Sequence, residues 1–175
     1  SSSEVDGLGR VLRTVQRLTA SSADDVVMQY SYDIRGNLLQ VLDPYNREVF
    51  FHHYDLDNRQ LYTRHIDSGV TRMVYDAMAQ PVQHSDAKAA EKLFAYDHLL
   101  RPVSLWAKDD ASQLFTLREH TLYGDNAGIS NPENTNRNGE IWRQFDEAGR
   151  LEFPKYDFKG NPISKRRRVI KNSLL

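Results

Sequence analysis

The stretch YDFKGNPI, residues Tyr156–Ile163, decides the fold, because it is typical of the tip of a β-hairpin. An aromatic residue and an aspartate lead into two variable positions, a glycine, a small polar residue and then apolar residues. The same order recurs in YDIRGNLL, YDLDNRQL, YDAMAQPV and YDHLLRPV. One such octet indicates a single turn, whereas five of them indicate a repeated architecture.

The octets recur at a nearly constant spacing. Six aspartates mark the strong copies, and these are Asp33, Asp55, Asp76, Asp97, Asp146 and Asp157. The first four are 22, 21 and 21 residues apart, and the last two are 11 apart. Weaker copies lie at about half the longer period, at Asp6, Asp43 and Asp86. A unit of roughly 10–11 residues fits one strand and one turn.

Each position of the repeat has a physical reason. An aromatic residue at a strand end covers the turn and stacks on neighbouring strands. The aspartate can accept hydrogen bonds from the amides of the turn. Three residues later come glycine or asparagine, which tolerate the positive φ of a type I turn closed by a left-handed residue and a bulge. The predicted structural turn residues are Tyr32, Asp33, Gly36, Tyr54, Asp55, Asn58, Tyr75, Asp76, Tyr96, Asp97, Phe145, Asp146, Gly149, Tyr156, Asp157 and Gly160.

Three copies lack glycine or asparagine at the left-handed position, where they carry Ala79, Ala89 and Leu100. Leucine at positive φ is strained, so we expect these turns to change type or to move the left-handed site. Pro81 and Pro102 follow two of them, and proline forces the residue before it toward extended geometry. We therefore expect open turns at these copies.

The array predicts an all-β fold of roughly 14–18 short antiparallel strands joined by YDxxGx hairpin turns. The segment DAKAAEKLFAYD has helical propensity, but it lies where a strand and turn are due, and we favour the strand. The spacing stretches to 49 residues between Asp97 and Asp146. The range 108–140, rich in Gly, Asn and Pro toward its end, is predicted as a long loop insert, and SSADD (Ser21–Asp25) as a shorter loop.

Composition excludes several classes of protein. With 39% apolar and 27% charged residues, the 175-residue chain is neither a membrane protein nor compositionally disordered. Lys plus Arg (23) nearly balances Asp plus Glu (24), so no net charge attracts the chain to nucleic acid or an anionic membrane. Cysteine is absent, which excludes disulfides, zinc thiolate sites and cysteine nucleophiles. No segment reaches the roughly 18 apolar residues of a membrane span.

The octets and their spacing resemble the Rhs/YD-repeat family over most of the chain, roughly residues 6–168. The order YDAMAQPVQHSD, YDHLLRPVSLW, LYGD, NRNGEIWRQFDEAG and YDFKGNPISKRRRV is similar to the Rhs-repeat region of insecticidal toxin complex proteins, particularly the B-component type. The sequence departs from that pattern at Ala79 and Ala89, where the family usually has glycine. It also departs at Arg137, where an apolar residue is expected before NG.

The resemblance implies a fold and a set of partners. Proteins of that group coil β-strands into a hollow shell, which a C component completes and which encloses a cytotoxic C-terminal domain. Residues 1–175 would accordingly form a single repeat region, a curved sheet segment of an Rhs-type shell. The implied partners are other parts of a longer Rhs-repeat chain or a toxin-complex component, together with an enclosed toxin polypeptide. The implied location is extracellular, as a secreted protein.

Three parts of such proteins have no recognisable counterpart in this sequence. These are the propeller-like receptor-binding region, a distinct C-terminal toxin domain and the core segment of the self-cleaving aspartyl-protease type. Repeat arrays also need caps at both ends, and unpaired strand edges are prone to aggregation. We therefore expect the sequence to be a fragment of a longer protein.

The candidate catalytic and metal-binding residues are interpreted as structural. A carboxylate pair could perform acid–base chemistry, but aspartates repeated at one turn position are better explained as caps. His52 and His53 are neighbours on a strand, so they face opposite sides and cannot share a metal ion without distortion. Trp106 and Trp142 are expected to pack between strands. We predict no catalytic residue, no metal site and no cofactor.

The basic run SKRRRVIK (Ser164–Lys171) allows two interpretations. Such runs can contact nucleic acid or act as localisation signals. This run also follows Gly160 in the repeat register, and NPISKRRRVI alternates enough to be a charged edge strand. We favour the strand, solvated or in an interdomain contact, and predict no nucleic-acid partner and no direct membrane span.

Three classes of function remain open at this point, and the first is favoured. The chain is predicted to be a structural segment of a secreted toxin-complex Rhs/YD-repeat shell that encloses or scaffolds a toxic polypeptide. An extracellular carbohydrate- or cell-surface-binding repeat module would instead project tyrosine and tryptophan side chains to solvent in a row. An enzyme would bring two carboxylates together outside the repeat register.

Overall fold

The computed structural model describes residues 1–19, 21–125 and 131–170. Within these ranges the regular structure is β-strand, apart from two short 3-10 helices at Ser22–Asp24 and Pro132–Thr135. The fourteen strands are β1 (Ser2–Val5), β2 (Val11–Arg17), β3 (Asp25–Tyr32), β4 (Leu38–Leu42), β5 (Glu48–Tyr54), β6 (Gln60–His65), β7 (Gly69–Tyr75), β8 (Pro81–Ser85), β9 (Glu91–Tyr96), β10 (Pro102–Lys108), β11 (Thr116–Tyr123), β12 (Ile141–Asp146), β13 (Gly149–Tyr156) and β14 (Pro162–Val169). The predicted all-β array of short strands is confirmed.

The chain divides into two compact units. The first holds Ser1–Tyr75 and Gln83–Ala89, and the second holds Asp76–Val82 and Ala90–Leu175. In the first unit, β1 to β7 lie in chain order, each antiparallel to the strand before it. In the second unit, β9 to β14 do the same. Short hairpin connections produce this order, because strands joined by a tight turn pair with each other.

Antiparallel order places successive turns at alternate edges of each unit. We call the turns that follow odd-numbered strands the odd-turn edge. Its described residues are 6–10, 33–37 and 55–59 in the first unit and 76–80, 97–101, 124–125, 131–140 and 157–161 in the second. The turns that follow even-numbered strands form the even-turn edge. Its described residues are 18–19, 21–24, 43–47, 66–68 and 86–89 in the first unit and 109–115 and 147–148 in the second.

Few side chains are fully buried in either unit. Among the described residues of the first unit, the buried apolar side chain is Val41, and in the second unit Ala107, Tyr123 and Tyr156 are buried. Most other strand residues are only half-buried. A sheet needs a second layer on its face to close a core, so both units keep partly accessible faces. No helix of the described ranges has the length and hydropathy that a membrane crossing requires.

The predicted loop at 108–140 is wrong in its middle part. Strand β11 lies inside that range and pairs with both β10 and β12. Its threonines and Tyr123 favour a strand, but the aspartate register gives no signal there because no octet marks this strand. Residues 126–130 of the predicted loop lie outside the described residues. The assignment of residues 1–175 to a single repeat region stays a prediction.

Two other local interpretations are confirmed. The segment with helical propensity, DAKAAEKLFAYD, contains strand β9 and no helix. The basic run forms most of strand β14, whose side chains are all exposed and which pairs with β13. Lys171, the last residue of that run, lies outside the described residues. The predicted short loop at Ser21–Asp25 contains a 3-10 helix and ends where β3 begins.

Candidate functional site

The aspartate turns share one hydrogen-bond pattern, which the turn at Asp33 illustrates. The Asp33 amide donates to the Asn37 carbonyl (2.9 Å), and the Gly36 amide donates to the Asp33 carbonyl (3.1 Å). Oδ1 of Asp33 accepts from the amides of Arg35 (2.8 Å) and Asn37 (2.9 Å). The carboxylate therefore satisfies amides that the turn leaves without a backbone partner. The same four bonds recur in the turns led by Asp6, Asp43, Asp55, Asp76, Asp97 and Asp157.

The residue four positions after the aspartate binds the other carboxylate oxygen. Arg59 Nε donates to Asp55 Oδ2 over 2.6 Å. Asn37 Nδ2 takes the same place in its turn and donates to Asp33 Oδ2 over 2.8 Å. The same bond is made by Arg10, Arg47, Arg101 and Asn161. In these turns both carboxylate oxygens thus accept hydrogen bonds from the same turn, which is the arrangement expected of a structural cap.

This hydrogen bonding holds the pKa of six turn carboxylates below its ordinary value, and these are Asp6, Asp33, Asp43, Asp55, Asp97 and Asp157. For Asp157 the largest cause is the side-chain hydrogen bond from Asn161, and the backbone bond from Asn161 also lowers the pKa. For Asp97 desolvation is the largest single influence and raises the pKa, but the bonds from Arg101 together outweigh it. The carboxylates therefore remain ionised acceptors and are poorly suited to donate a proton near neutral pH.

The expected change of turn type at Ala79, Ala89 and Leu100 is wrong. All three adopt positive φ, of 64°, 61° and 62°, and so keep the left-handed site in its usual place. Their turns are closed, since each amide donates to the carbonyl of the leading aspartate over 2.9–3.2 Å. The bonds around the aspartate fix the backbone and impose the strained conformation on alanine and leucine.

The fifth strong copy, which Asp146 leads, forms a different turn from the other five. Asp146 pairs directly with Gly149, which leaves a two-residue connection between β12 and β13, and Phe145 pairs with Arg150. Asp146 accepts a bond from the Ala148 amide (3.0 Å) and forms an ion pair with Arg167 of β14 (2.6 Å). A Cβ on Gly149 would lie 2.2 Å from the backbone oxygen of Arg168, so glycine is required here by close packing as well as by its φ of 128°.

Tyrosine hydroxyls link successive turns of the odd-turn edge. Tyr54 precedes one turn, and its hydroxyl donates over 3.0 Å to the carbonyl of Leu38, which directly follows the previous turn on the same edge. Four other tyrosines make the equivalent bond over 2.6–3.1 Å, and these pairs are Tyr32 with Val11, Tyr96 with Pro81, Tyr123 with Pro102 and Tyr156 with Ile141. Each tyrosine therefore fixes the distance between two turns that are not neighbours in sequence.

Arginines of the turns reinforce the same connection. The guanidinium carbons of Arg10 and Arg101 lie over the rings of Tyr32 (5.2 Å) and Tyr123 (3.9 Å), which belong to the next turn along the odd-turn edge. Arg59 lies over Tyr75 in the same way, at 5.5 Å. These distances fit a cation–π contact. An arginine thus binds the aspartate of its own turn and the tyrosine of the next turn.

The sequence reasoning missed the turn that follows β11. Tyr123 occupies the tyrosine position, but Gly124 follows it where an aspartate is expected. The Gly124 amide donates to the Glu140 carbonyl over 2.8 Å, and a Cβ on Gly124 would lie 2.0 Å from the Arg137 backbone oxygen. Asp125 forms an ion pair with Arg101, in which Nη1 of Arg101 lies 3.0 Å from Oδ1 of Asp125. The tetrapeptide LYGD carried this signal, because a tyrosine directly before glycine and aspartate continues the repeat with one residue inserted.

The structure does not gather the predicted turn residues into one cleft. The turn aspartates lead separate turns, and six of them have both carboxylate oxygens bonded within their own turn, namely Asp6, Asp33, Asp43, Asp55, Asp97 and Asp157. His52 lies against Thr63 (3.1 Å), whereas its neighbour His53 lies against Phe51 and Tyr62. In residues 1–19, 21–125 and 131–170, no three or more histidine, aspartate or glutamate side chains are placed to hold a metal ion. What repeats is a structural arrangement, in which aspartates close the turns and tyrosine hydroxyls link one turn to another.

Comparison with known proteins finds relatives among the components of bacterial toxins. The chain is 26% identical over 173 residues to the toxin subunit YenC2 of Yersinia entomophaga; the match covers 88% of this chain and 18% of that subunit. The crystal structure of TcdB2-TccC3 matches with a TM-score of 0.81 at 24% identity, over 98% of this chain and 9% of the other. The Photorhabdus luminescens Tc holotoxin pore matches equally well, over 8% of its chain.

The chain therefore spans less than a fifth of the curated relative, and it shares the fold of the solved structures. The family model described as Teneurin YD-shell matches residues 2–99, which is more than half of the 175 residues. That range contains the first three strong octets, the three weaker copies and the start of the fourth strong octet at Tyr96 and Asp97. On this match, the chain belongs to the Teneurin YD-shell family.

Proposed function

We propose that the chain is a structural segment of a secreted toxin-complex shell and that it helps to enclose or scaffold a toxic polypeptide. The partners would be other parts of a longer Rhs-repeat chain or a toxin-complex component. No residue of the segment would perform chemistry. Its contribution would be a hydrogen-bonded wall whose turns are held at fixed distances.

The link between successive turns is the observation that carries this proposal. The Tyr54 hydroxyl and the Leu38 carbonyl are joined at 3.0 Å, and the equivalent bond recurs in both units. A repeated bond of this kind stiffens a sheet along its edge without needing a packed core. Stiffness with few buried side chains suits a wall that is one layer thick.

The kinds of protein to which the relatives belong support the same role. The curated relative is a toxin subunit, and the solved relatives include a Tc holotoxin pore. The family model is that of a YD-shell. These proteins are several times longer than this chain, which fits a part that works only inside a larger assembly.

The two other classes of function receive less support. A carbohydrate-binding module needs exposed aromatic faces in a row, but Tyr123 and Tyr156 are buried and their hydroxyls are bonded to backbone carbonyls. An enzyme needs carboxylates free to exchange protons. In the second unit Asp109 and Glu147 lie around one side chain, since both form ion pairs with Arg118, and neither is free in that sense.

A chimera tests the proposal. This chain would replace the matching stretch of toxin subunit YenC2, and limited proteolysis would be compared with that of the unaltered subunit. We expect the chimera to assemble and to leave the rest of the subunit at least as protected as in the parent. A chimera that folds and assembles but loses protection throughout would overturn the enclosing role.

A further inference from the structure

Four arginines from three neighbouring strands lie on one face of the second unit. Directly paired residues of antiparallel strands point to the same side of a sheet. Glu152 of β13 lies opposite Arg143 of β12 and Arg166 of β14. Arg150, two positions before Glu152 on β13, lies opposite Arg168 of β14. These side chains therefore share a face, and we call Arg143, Arg150, Arg166 and Arg168 the arginine face.

The arginine face carries more positive charge than its carboxylate partner balances. Its ion pairs within the described residues go to Glu152, which lies 3.1 Å from Arg143 and 3.4 Å from Arg150. Arg166 and Arg168 form no ion pair in the described part of the chain. Burial raises the pKa of Glu152, but the hydrogen bond from Arg143 and the charges of the surrounding arginines lower that pKa below its usual value. One ionised carboxylate thus faces four guanidinium groups.

Arg150 and Arg168 lie directly opposite each other, and like charges at paired positions of a sheet repel. The hydrogen-bonding capacity of Arg150 is largely unused. Its Nη2 makes one long bond to Glu152 (3.4 Å), and its Nε has no partner among the described residues. An anion placed between the two guanidinium groups would accept hydrogen bonds from both and relieve the repulsion.

A cavity of about 370 Å³ adjoins these two arginines. Arg150 and Arg168 line it together with the apolar residues Phe145, Val169 and Ile170. Val169 is 71% exposed and Ile170 39%, so the apolar wall is open to solvent. A ligand that fits this cavity therefore joins an anionic group to an apolar one.

Asp146 does not neutralise this site, although it also lines the cavity. Its two carboxylate oxygens lie 2.8 and 2.6 Å from the guanidinium nitrogens of Arg167. Arg167 is on the opposite face of β14 from its neighbours Arg166 and Arg168, because successive strand residues alternate. The charge of Asp146 is therefore balanced by Arg167, and the arginine face stays positive.

The spacing of the arginines fits an extended polypeptide. Arg166 and Arg168 are two positions apart on β14, which is roughly 6.6 Å along a strand. Alternate side chains of an extended peptide have the same interval, so two carboxylates of such a peptide can bond both arginines at once. Ile170 comes two positions after Arg168 and lines the cavity, so the next alternate side chain of the peptide reaches an apolar surface.

We propose that the arginine face and the adjoining cavity bind an extended polypeptide segment with two acidic residues and then an apolar residue at alternate positions. The acidic side chains bond Arg166 and Arg168, and the apolar side chain packs against Ile170 and Phe145. This site lies on the sheet and not in the linked turns, so it goes beyond the shell role and does not depend on it.

Fluorescence anisotropy with a labelled peptide tests the site. The probe is a capped heptapeptide in which two glutamates alternate with serines between leucine ends, so it fits in either direction. We expect saturable binding that weakens as salt is added. Arg168→Gln should weaken binding about tenfold, since it removes a charge-assisted contact. The matched control is Lys165→Gln, which removes one exposed charge from the other face of the same strand and should change the affinity less than about twofold.

Three further measurements separate the possible outcomes. Circular dichroism should show unchanged folding for both variants, because the side chains of β14 are exposed. The peptide with glutamine in place of glutamate should not bind, and the one with serine in place of leucine should bind more weakly. Absence of binding at low salt, equal weakening by the two variants, or full binding of the glutamine peptide overturns the proposal. A single-stranded oligonucleotide that displaces the probe at lower concentration than the unlabelled peptide also overturns it and would indicate a nucleic-acid site.

Discussion

The two edges of the first unit share the aspartate turn but connect it differently. On the odd-turn edge, the turn at Asp55 is tied through Tyr54 to the end of the previous turn and through Arg59 to the next tyrosine. On the even-turn edge, the turn at Asp43 has the same internal bonds, but Arg47 lies over Tyr45 of its own turn. An aspartate turn is therefore a local device, and linkage between turns is a separate property added at one edge.

The difference assigns distinct roles to the aspartate and the tyrosine. The aspartate closes a turn wherever it occurs, because its carboxylate satisfies amides within the next four residues. The tyrosine acts over a distance, because its hydroxyl bonds a residue 15–21 positions away in sequence. Variants of the two residue types should consequently have different effects at the two edges.

Acid should produce the largest effect, because it acts on the feature that both edges share. Bonding lowers the pKa of Asp6 and Asp157 on the odd-turn edge and of Asp146 on the even-turn edge. A lowered folded-state pKa stabilises the fold above the unfolded-state value of about 4, and this stabilisation is lost as the pH falls through the folded-state pKa. We expect the urea midpoint, followed by circular dichroism, to be level from about pH 7 to about pH 5 and to fall steeply below about pH 4. A midpoint unchanged in strong acid would show that the bonds do not depend on the charge.

Removing one carboxylate should have the next largest effect, and the effect should differ between turn types. Asp55→Ala leaves the amides of a four-bond turn unpaired and releases Arg59, so we expect the melting temperature to fall on the order of 5 °C. Asp146→Ala removes one amide bond and an ion pair that is about one-third exposed, and we expect half that fall or less. Equal falls in a thermal scan would mean that the turn at Asp146 contributes as much stability as the four-bond turn at Asp55.

Removing a tyrosine hydroxyl isolates the linkage. Tyr54→Phe deletes the bond to the Leu38 carbonyl and should lower the free energy of unfolding by about 1 kcal/mol. Tyr45→Phe makes the same chemical change at an 80% exposed ring of the even-turn edge, where we expect a change within about 0.5 kcal/mol. Urea titration of both variants provides the measurement. Comparable losses would remove the distinction between the two edges.

The smallest effect concerns the left-handed position, which should behave alike at both edges. Ala79 lies on the odd-turn edge and Ala89 on the even-turn edge, with φ of 64° and 61°. Asparagine tolerates this conformation better, so Ala79→Asn and Ala89→Asn should each raise the free energy of unfolding by about 0.5 kcal/mol. Ala77→Asn is the control, since Ala77 is exposed and outside the positive-φ set. An increase in the free energy of unfolding at one edge alone would show that the strain depends on the edge and is not a property of the turn itself.

Much of this architecture could be predicted from the sequence, because the turn chemistry is local. The interval between the aspartates predicts the number and length of the strands. The residue type that recurs at each position of the repeat predicts which residues surround Asp33 and its equivalents. The prediction for Leu100 was wrong because it rested only on the preference of leucine for negative φ. The hydrogen bonds around Asp97 override that preference. Strand β11 was missed because Gly124 replaces the expected aspartate. The tyrosine linkage could not be derived, since it depends on which turns become neighbours across two strands.

The scarcity of buried side chains has a consequence for how such chains diverge. A tightly packed interior restricts substitution because each volume change is felt by many neighbours. Here Val41, which is 6% exposed, is the buried apolar residue of the described part of the first unit, so most positions escape that restriction. Substitutions on the sheet faces are therefore expected to cost less stability than substitutions of the turn aspartates, which agrees with a backbone that matches a solved structure at a TM-score of 0.81 with 24% identity.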